Sequence, residues 1–304
     1  MRLGTRGSKL AMAQAEKVRR LLQQDLGVSA TATVISTSGD VKKEDPPYRM
    51  KGYGEFVREI DELLLQGKID IAVHSLKDIP TIRPKGLALA AVLKRESALD
   101  VAVLRRGDRL TDLSAYSTVG TSSARRQAMI RRHYPSLRTK DVRGNVDTRL
   151  RKLHEGGYDA IILAEAGLIR LGIDMTIERL DPYTFVPAAN QGVIAIVVRE
   201  GSPEMDMIGR LNDRATWLET RVERAISGRL DGGCVVPMGV YATMVGDEMD
   251  VICEILSLDG KQQVRVRETI PVERWEAHAN RIADRLALAG GRVLADAARK
   301  GLSE

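Results

Sequence analysis

The sequence predicts an α/β protein with a mostly parallel sheet over its first two-thirds, followed by a smaller domain with an antiparallel sheet. Short β-rich segments alternate with helical patterns up to about residue 213, which is typical of strands joined by covering helices. Beyond that point, strand-like segments follow one another without intervening helices, which favours a small antiparallel sheet. With 304 residues and a hydrophobic content of 43%, the chain can bury a substantial core without disulfides or metal.

The predicted strands are short and mostly apolar. In the first two-thirds they are Arg2 to Thr5, Thr31 to Thr37, Asp70 to His74, Leu87 to Leu93, Asp100 to Leu104, Thr118 to Gly120, Thr139 to Val142, Asp159 to Leu163 and Val193 to Val198. In the last third they lie near Gly239 to Thr243, Val251 to Leu258 and Gln263 to Thr269. Two early amphipathic helices carry apolar residues at a spacing of three to four. These residues are Val18, Leu21, Leu22 and Leu26 in one helix, and Phe56, Ile60, Leu63 and Leu64 in the other. Between the helices, the polar and proline-containing segment 41–48 is predicted to be a mobile loop.

The net charge of +6 is concentrated in one segment. Residues 121–152 contain ten Lys and Arg against two Asp, a charge of +8, so the rest of the chain carries −2. Such a segment indicates either a partner rich in negative charge or a solvated helix face. Aromatic residues make up only 4%, which leaves few stacking platforms for nucleic acid, and we expect no nucleic-acid partner.

Several classes of protein do not match the sequence. It has no apolar run long enough to span a bilayer and begins without the apolar core of a signal peptide, so we expect neither membrane insertion nor export. Two cysteines, Cys234 and Cys253, fit a reducing cytoplasm better than a disulfide scaffold. There is no Walker loop or G-x-G-x-x-G motif, and the four histidines form no metal-binding motif. We therefore expect no metal, and His74, at the end of an apolar strand, is expected to be a buried histidine with its hydrogen bonds satisfied.

Hydroxyl and basic residues recur where predicted strands end, which is where ligands of open α/β sheets bind. Ser8, Ser122 and Asn145 stand at predicted helix starts, each near an arginine or lysine. They either cap these helices or contribute to anion sites built from free backbone N–H groups. Their repetition favours a ligand with several carboxylates or phosphates, for which the planar guanidinium of arginine is well suited.

Cys234 stands on a glycine-flanked loop, where backbone and ligand can approach closely. A free cysteine is either an inert small apolar residue or, on an accessible loop, a nucleophile or attachment point. Cys253 lies in an apolar strand-like segment and is expected in the core.

Six segments resemble the porphobilinogen deaminase family, also called hydroxymethylbilane synthases. They are TRGSKLA at 5–11, HSLKDIP at 74–80, VGTSSARRQ at 119–127, RGNV at 143–146, ERA at 223–225 and GGCVVP at 232–237. Their order and spacing match the family from residue 2 to about residue 245. After that, only the strand-then-helix pattern is similar.

The resemblance implies three domains. Two are periplasmic-binding-protein-like α/β domains around a cleft, and the third is a small α+β C-terminal domain with an antiparallel sheet. The expected extents are 1–95 with 193–208, 98–188, and 213–304. The chain would therefore cross between the first two domains twice.

The resemblance also implies a transferase of tetrapyrrole (porphyrin and heme) biosynthesis, which joins four porphobilinogen molecules head to tail into hydroxymethylbilane and releases ammonia. A dipyrromethane cofactor, one per chain, would serve as the primer and be attached covalently through Cys234. Asp78 would be the catalytic residue, because a carboxylate aimed at the pyrrole nitrogen can stabilise positive charge there and manage proton transfer. Each pyrrole carries an acetate and a propionate, so the arginines would bind carboxylates.

The other implied site residues match the family motifs one by one. For cofactor binding, beside Cys234, they are Lys77, Ser75, Thr121, Ser122, Ser123, Arg125, Arg126 and Gly144. For substrate binding they are Arg6, Ser8, Arg143, Arg149 and Arg170. We expect porphobilinogen to be the small-molecule partner of a cytoplasmic monomer.

Three positions depart from the usual family pattern, and a different function stays open. Ser38 replaces a common basic residue, Tyr53 replaces a lysine between glycines, and Asn190 follows Ala189 where a small residue and glycine are expected. The alternative function is a non-catalytic binding module for a polycarboxylate small molecule. Such a module would share the strand-end arginines but would need neither Cys234 nor Asp78.

Overall fold

The computed structural model describes residues 1–37, 57–81, 83–230 and 235–301. Several sequence predictions concern residues outside these ranges: the loop at 41–48, Phe56, Cys234, and the departures at Ser38 and Tyr53. In the described ranges, strands form two five-stranded sheets and one three-stranded sheet.

The elements follow one another in the order that the alternating pattern predicts. They are β1 (Arg2–Arg6), α1 (Lys9–Leu26), β2 (Thr31–Ile35), α2 (Arg58–Leu65), β3 (Ile71–Ser75), β4 (Leu87–Val92), β5 (Asp100–Leu104), β6 (Thr118–Gly120), α3 (Ala124–His133), β7 (Arg138–Lys140), α4 (Val146–His154), β8 (Ala160–Ala164), α5 (Glu165–Leu171), β9 (Glu178–Arg179), β10 (Ile194–Arg199), α6 (Glu204–Gly209), α7 (Arg214–Arg229), β11 (Met238–Val245), β12 (Glu248–Leu256), β13 (Gln263–Pro271), α8 (Trp275–Leu286) and α9 (Arg292–Gly301). Among the described residues, no helix combines the length and hydropathy that a membrane span requires.

The first two domains have sheets of the same design. The first sheet has the order β2-β1-β3-β10-β4, and only β10 runs antiparallel to its neighbours. The second has the order β7-β6-β8-β5-β9, and only β5 runs antiparallel. The antiparallel strand in each sheet is the one that follows a crossing of the chain from the other domain.

Helix α1 shows how the sequence determines an element that later supports the site. Ser8 caps its first turn, since the Ser8 hydroxyl accepts a hydrogen bond from the amide of Ala11. Val18 and Leu22, on the predicted apolar face, are fully buried against the sheet. The helix ends at Gly27, whose φ of +67° favours glycine.

The two chain crossings lie side by side. The amide of Glu96 in the first crossing donates to the carbonyl of Gly192 in the second, at 3.3 Å. Gly192 has a φ of +84°, and a Cβ at this position would collide with the carbonyl oxygen of Ser97. The close approach of the crossings therefore requires glycine at residue 192.

The third domain packs its antiparallel sheet β11-β12-β13 against α7, α8 and α9, with Cys253 in its core. It also contacts both other domains. Ile252 and Leu256 of β12 join the apolar core of the second domain, and Trp217 of α7 packs against the core of the first. The third domain thus braces the other two.

The predicted fold class is confirmed: two α/β domains and a small α+β domain with an antiparallel sheet. The predicted extents of the domains stay predictions. β5 and β6 have the predicted bounds, and the bounds of the other predicted strands differ by at most three residues, as in β7, which was expected to reach Val142. It ends at Lys140 because its partner β6 ends at Gly120, the last paired residue. The two-residue strand β9 was not predicted.

Candidate active site

A cavity of about 210 Å³ lies between the first two domains. The described residues that line it include six lysines and arginines and a single carboxylate, that of Asp147. The six cations are Arg6, Lys9, Lys77, Arg126, Arg149 and Arg170. Lys9 pairs with Asp147 at 3.0 Å across the cleft, so the one acid in the lining is neutralised from the facing domain. The excess of positive charge suits a ligand with several carboxylates.

The first domain contributes strand ends and the start of α1, as predicted from the sequence. Arg6 ends β1, and Ser8 lines the cavity while capping α1. Ser75 ends β3, and its hydroxyl accepts a hydrogen bond from Nε2 of Gln14 at 2.8 Å. For Ser8 the predicted helix cap is confirmed, whereas its contribution to an anion site stays a prediction.

Lys77 and Asp78 lie on a short 3-10 turn that follows β3, and both side chains are exposed. The Lys77 ammonium donates to Oε1 of Gln191 at 3.4 Å. Lys77 is solvent-accessible, but the cleft walls packed around its ammonium reduce its hydration and lower its pKa to about 8, with Asp78 opposing this shift and Arg126 adding to it. Lys77 is therefore a cation that can lose its charge just above neutral pH.

The segment that follows the Asp78 turn is hydrogen-bonded to the third domain. Arg224 of α7 donates to the carbonyls of Ile79 at 3.0 Å and Pro80 at 2.6 Å. Helix α7 ends five residues before Cys234 along the chain. The same helix therefore supports the Asp78 turn and leads toward the loop expected to carry the cofactor.

Arg125 and Arg126 are both buried against the carboxylate of Asp100. Arg125 contacts Asp100 Oδ2 at 2.7 Å and donates to the carbonyl of Val186 at 2.8 Å. Arg126 contacts Asp100 Oδ1 and also lines the cavity. Burial alone would raise the pKa of Asp100, but the two guanidiniums hold it well below its usual range.

Gln191 connects the two halves of the site. Its Nε2 donates to Asp100 Oδ1 at 3.0 Å and to the carbonyl of Ala98 at 2.8 Å. Its Oε1 accepts from Lys77 and, at 3.5 Å, from Arg126. One buried amide thus joins a first-domain lysine to a second-domain arginine.

Thr121, Ser122 and Ser123 precede α3 but are not among the described residues that line the cavity. Thr121 Oγ1 accepts from the amide of Ser123 at 3.3 Å, and Ser122 donates to the carbonyl of Val142 at 2.9 Å. Ser123 caps α3 by accepting from the amide of Arg126. In this conformation the three hydroxyls shape the helix start.

Gly144, just before α4, and Arg149, on the first turns of α4, both line the cavity wall. Gly144 has a φ of +108°, and the Nε of Arg149 donates to its carbonyl at 2.8 Å. Burial, and secondarily the charge of Arg126, lower the pKa of Arg149 to about 10, so it remains a cation near neutral pH. Arg143 is half-buried 4.0 Å from the carboxylate of Asp141 and does not join the described lining, and Asn145 makes no side-chain cap.

Arg170 and Asn190 complete the wall near the crossings. Arg170 donates to Glu96 through Nε at 2.5 Å and to the carbonyl of Gly192 through Nη2 at 2.7 Å. Asn190, a departure noted in the sequence, adopts a φ of +63°, and its amide N–H donates to Glu223 at 2.6 Å. Its buried Oδ1 has no hydrogen-bond partner among the described residues, which leaves an acceptor beside the cavity.

Sequence reasoning missed Asp100, Gln191 and Glu96 as parts of this site. A signal existed for Asp100, because an acid that opens an apolar strand must find a cationic partner when buried. The partners of Gln191 and Glu96 lie far away along the chain, so no local pattern points to them.

Residues 1–207 match the family model described as "Porphobilinogen deaminase, dipyromethane cofactor binding domain", and residues 217–288 match "Porphobilinogen deaminase, C-terminal domain". The chain belongs to the porphobilinogen deaminase family. The resemblance stated from the motifs is therefore confirmed.

Archaeal proteins named "Probable porphobilinogen deaminase" are similar to the whole chain. The one from Methanocella arvoryzae is 71% identical and covers 99% of each chain. The one from Archaeoglobus fulgidus is 48% identical over 88% of this chain and 91% of that protein. Among solved structures, a periplasmic substrate-binding protein of an ABC transporter from Coxiella burnetii is similar, with a TM-score of 0.44 and 13% identity over 71% of this chain and 94% of that chain.

The lining of the cavity fits the dipyrromethane cofactor of this family. A dipyrromethane has two pyrrole rings, each with an acetate and a propionate, and so four carboxylates in all. Five cations of the lining remain after Lys9 pairs with Asp147, which is enough to bind them. The unpartnered Oδ1 of Asn190 adds an acceptor of the kind that a pyrrole N–H requires. The expected attachment residue, Cys234, lies outside the described residues.

Proposed function

We propose that the chain joins four porphobilinogen molecules head to tail into hydroxymethylbilane and releases ammonia, as a transferase of tetrapyrrole biosynthesis. The observation that carries this proposal is the cationic cavity between the domains, with the exposed carboxylate of Asp78 on the turn beside Lys77. Family membership supports the reaction, and the excess of cations suits substrates that each bring two carboxylates.

The dipyrromethane, when bound, supplies the anchored primer to which pyrrole units are added. We infer that Cys234 holds it, because α7 leads from the Asp78 turn toward this residue. The other thiol does not suit this role. Cys253 is fully buried, and burial raises the pKa of its thiol to about 12, which suppresses the reactive thiolate.

Cofactor and substrate carboxylates would be held by different parts of the site. Lys77 and Arg126 both donate to Gln191, so we infer that they bind the cofactor carboxylates. Asp100, itself paired with Arg125, fixes the orientation of Arg126. The cofactor side would also include Ser75, Thr121, Ser122, Ser123 and Gly144. Incoming substrate would meet Arg6, Ser8, Arg143, Arg149 and Arg170.

Asp78 would act on the charge that develops in the substrate. Each addition replaces the aminomethyl C–N bond of porphobilinogen with a C–C bond, and the amine leaves as ammonia together with the proton lost at the new bond. Positive charge spreads over the pyrrole nitrogen as the amine departs, and a nearby carboxylate stabilises it. Arg224 keeps the Asp78 turn in place by binding the two carbonyls that follow it.

We further propose that the chain works in the cytoplasm as a monomer with the three predicted domain extents. The chain has only two cysteines, and one of them, Cys253, is buried and free. This supports a reducing compartment.

The test is intact mass and product analysis of the purified protein. The chain should be heavier by one dipyrrole, with the added mass on the peptide that contains Cys234, and it should release ammonia from porphobilinogen. Cys234→Ser should lose the adduct and the activity, whereas the matched control Cys253→Ser should keep both. Tight binding of porphobilinogen with no adduct and no ammonia would instead support the non-catalytic binding module.

A further inference from the structure

A second cavity, of about 350 Å³, lies against α1 of the first domain and α5 of the second. Its described lining consists of Ala13, Lys17, Arg20, Leu21, Gln24, Glu96, Ile169 and Arg170. Of the site residues that the family resemblance implies, only Arg170 lines this cavity, so it is a separate space beside the active site.

Arg170 forms part of the wall between the two cavities. Its Nη2 donates to the carbonyl of Gly192, which lines the active-site cavity, and its Nε donates to Glu96, which lines the second. The other oxygen of Glu96 accepts from Lys17 of α1 at 2.6 Å. Glu96 therefore fastens the Arg170 guanidinium in place between the two domains.

The chemistry of the second cavity suits carboxylated rings. Lys17, Arg20 and Arg170 contribute three positive charges to the lining, which has one carboxylate, Glu96; Arg20 also contacts Glu16 at 3.4 Å. Ala13, Leu21 and Ile169 supply apolar surface for a ring face. A pyrrole with an acetate and a propionate has this combination of an apolar face and anionic edges.

The active-site cavity is small for what the proposed function requires. Its volume of about 210 Å³ is below the roughly 300 to 1,000 Å³ of ordinary ligand sites. A two-ring primer that gains four more rings, each with two carboxylates, needs further space. The second cavity is the adjacent space, and the Arg170 side chain lines both cavities.

We propose that the second cavity receives pyrrole rings of the late elongation stages. A ligand carboxylate replaces Glu96 on the Arg170 guanidinium as the rings pass, and one arginine–carboxylate contact is thereby exchanged for another. This inference rests on the proposed function.

Thiol labelling at Ile169 tests occupancy directly. Ile169 lines the second cavity and is 51% exposed, so Ile169→Cys presents an accessible thiol there. Val245→Cys is the matched control, because Val245 is 62% exposed on β11 in the third domain. In the cofactor-loaded enzyme Cys234 is alkylated and Cys253 is buried, so only the new thiol should react with N-ethylmaleimide.

The labelled species are the covalent stages formed with limiting porphobilinogen and separated by charge. The thiol of Ile169→Cys should react in the loaded enzyme and at the first addition, and lose its reactivity at the last additions. Val245→Cys should react equally at every stage. Unchanged reactivity of Ile169→Cys throughout, or an increase caused by separation of the domains, would overturn the inference.

Two neighbouring arginines of α1 give a second test. Arg19 and Arg20 are both exposed and both contact Glu16, but only Arg20 lines the cavity. Arg20→Glu should slow the last additions by about fivefold, the effect of about 1 kcal/mol, and leave the first unchanged. Arg19→Glu should change neither, and equal effects of the two variants would contradict the inference. Absence of the dipyrrole adduct in the parent chain would overturn the proposed function and this inference together. If all covalent stages form normally while Ile169→Cys stays reactive, only the inference about the second cavity is overturned.

Discussion

Arg126 donates two hydrogen bonds to one oxygen of Asp100, from Nε at 3.0 Å and from Nη2 at 2.7 Å. Arg125 contacts the other oxygen of the same carboxylate, and all three side chains are buried. The carboxylate therefore cancels one of two adjacent positive charges and fixes the direction of both guanidiniums. A ligand in the cavity meets an oriented arginine with a net charge near +1 instead of a mobile pair.

This arrangement predicts that Arg125→Leu destabilises the fold in addition to weakening ligand binding. Loss of Arg125 leaves half of the Asp100 charge without its partner in a buried site, and the free energy of unfolding should fall by about 3 kcal/mol. Urea denaturation in a Cys234→Ser background measures this without a contribution from the cofactor. In that background the half-buried Arg143→Leu should cost less than about 1 kcal/mol, and an equal loss in both variants would show that Asp100 has no special dependence on Arg125.

The difference between what the sequence predicts and what it does not is visible in this cluster. The periodicity of apolar residues is local, so the buried face of α1 and all the observed strands except β9 are predicted, with shifts of at most three residues at strand ends. The strand-end arginines are also recognisable, because the motifs that contain them are continuous. The partners are not recognisable, because they are far apart along the chain. Asp100 meets Arg126 across 26 residues through the packing of α3 on the second sheet, and Gln191 meets Lys77 across 114 residues through the approach of the first two domains.

Asp78→Asn should lower turnover by about a hundredfold, because the variant keeps the shape of the side chain but removes the charge that stabilises the transition state. The Michaelis constant should change much less, since the charge develops after binding. Steady-state kinetics of protein with a full dipyrrole adduct measures both quantities. Asp108→Asn, on an exposed loop outside the cleft, is the control and should retain normal turnover. Near-normal turnover of the loaded Asp78→Asn variant would remove Asp78 from the mechanism.

The ionisation of Lys77 should make kcat/KM fall at alkaline pH. The pKa of Lys77 is lowered to about 8 by its surroundings in the cleft, so the ammonium is present below that pH and is lost as the pH rises through it. A neutral amine no longer holds a cofactor carboxylate in the position that substrate must meet, and kcat/KM for porphobilinogen should fall above about pH 8. Lys77→Arg retains the charge at these pH values, so its profile should lack this fall even if its maximum is lower. The same alkaline fall in both enzymes would assign the ionisation to another group.

The burial of His74 should lower the free energy of unfolding in acid, and this effect is separate from catalysis. It is buried on β3, and its Nε2 lies 3.9 Å from Asp61, with no hydrogen-bond partner among the described residues. Burial, followed by the charges of Arg83 and Arg6, lowers its pKa from 6.5 to about 3. Between these two values the unfolded chain binds a proton that the folded chain does not, so the free energy of unfolding falls as the pH falls.

At 1.36 kcal/mol for each pH unit, the contribution of His74 amounts to about 2 to 3 kcal/mol between pH 6.5 and pH 4.5. His74→Leu cannot take up this proton, so its free energy of unfolding should fall by that much less than the parent over the same interval. The carboxylates that respond to acid are common to both chains, and the difference between the two urea-denaturation series therefore isolates the histidine. Parallel series would mean that His74 is protonated in the folded protein, and its imidazolium would then have to find compensation from the carboxylate of Asp61, the acid nearest to its Nε2 among the described contacts.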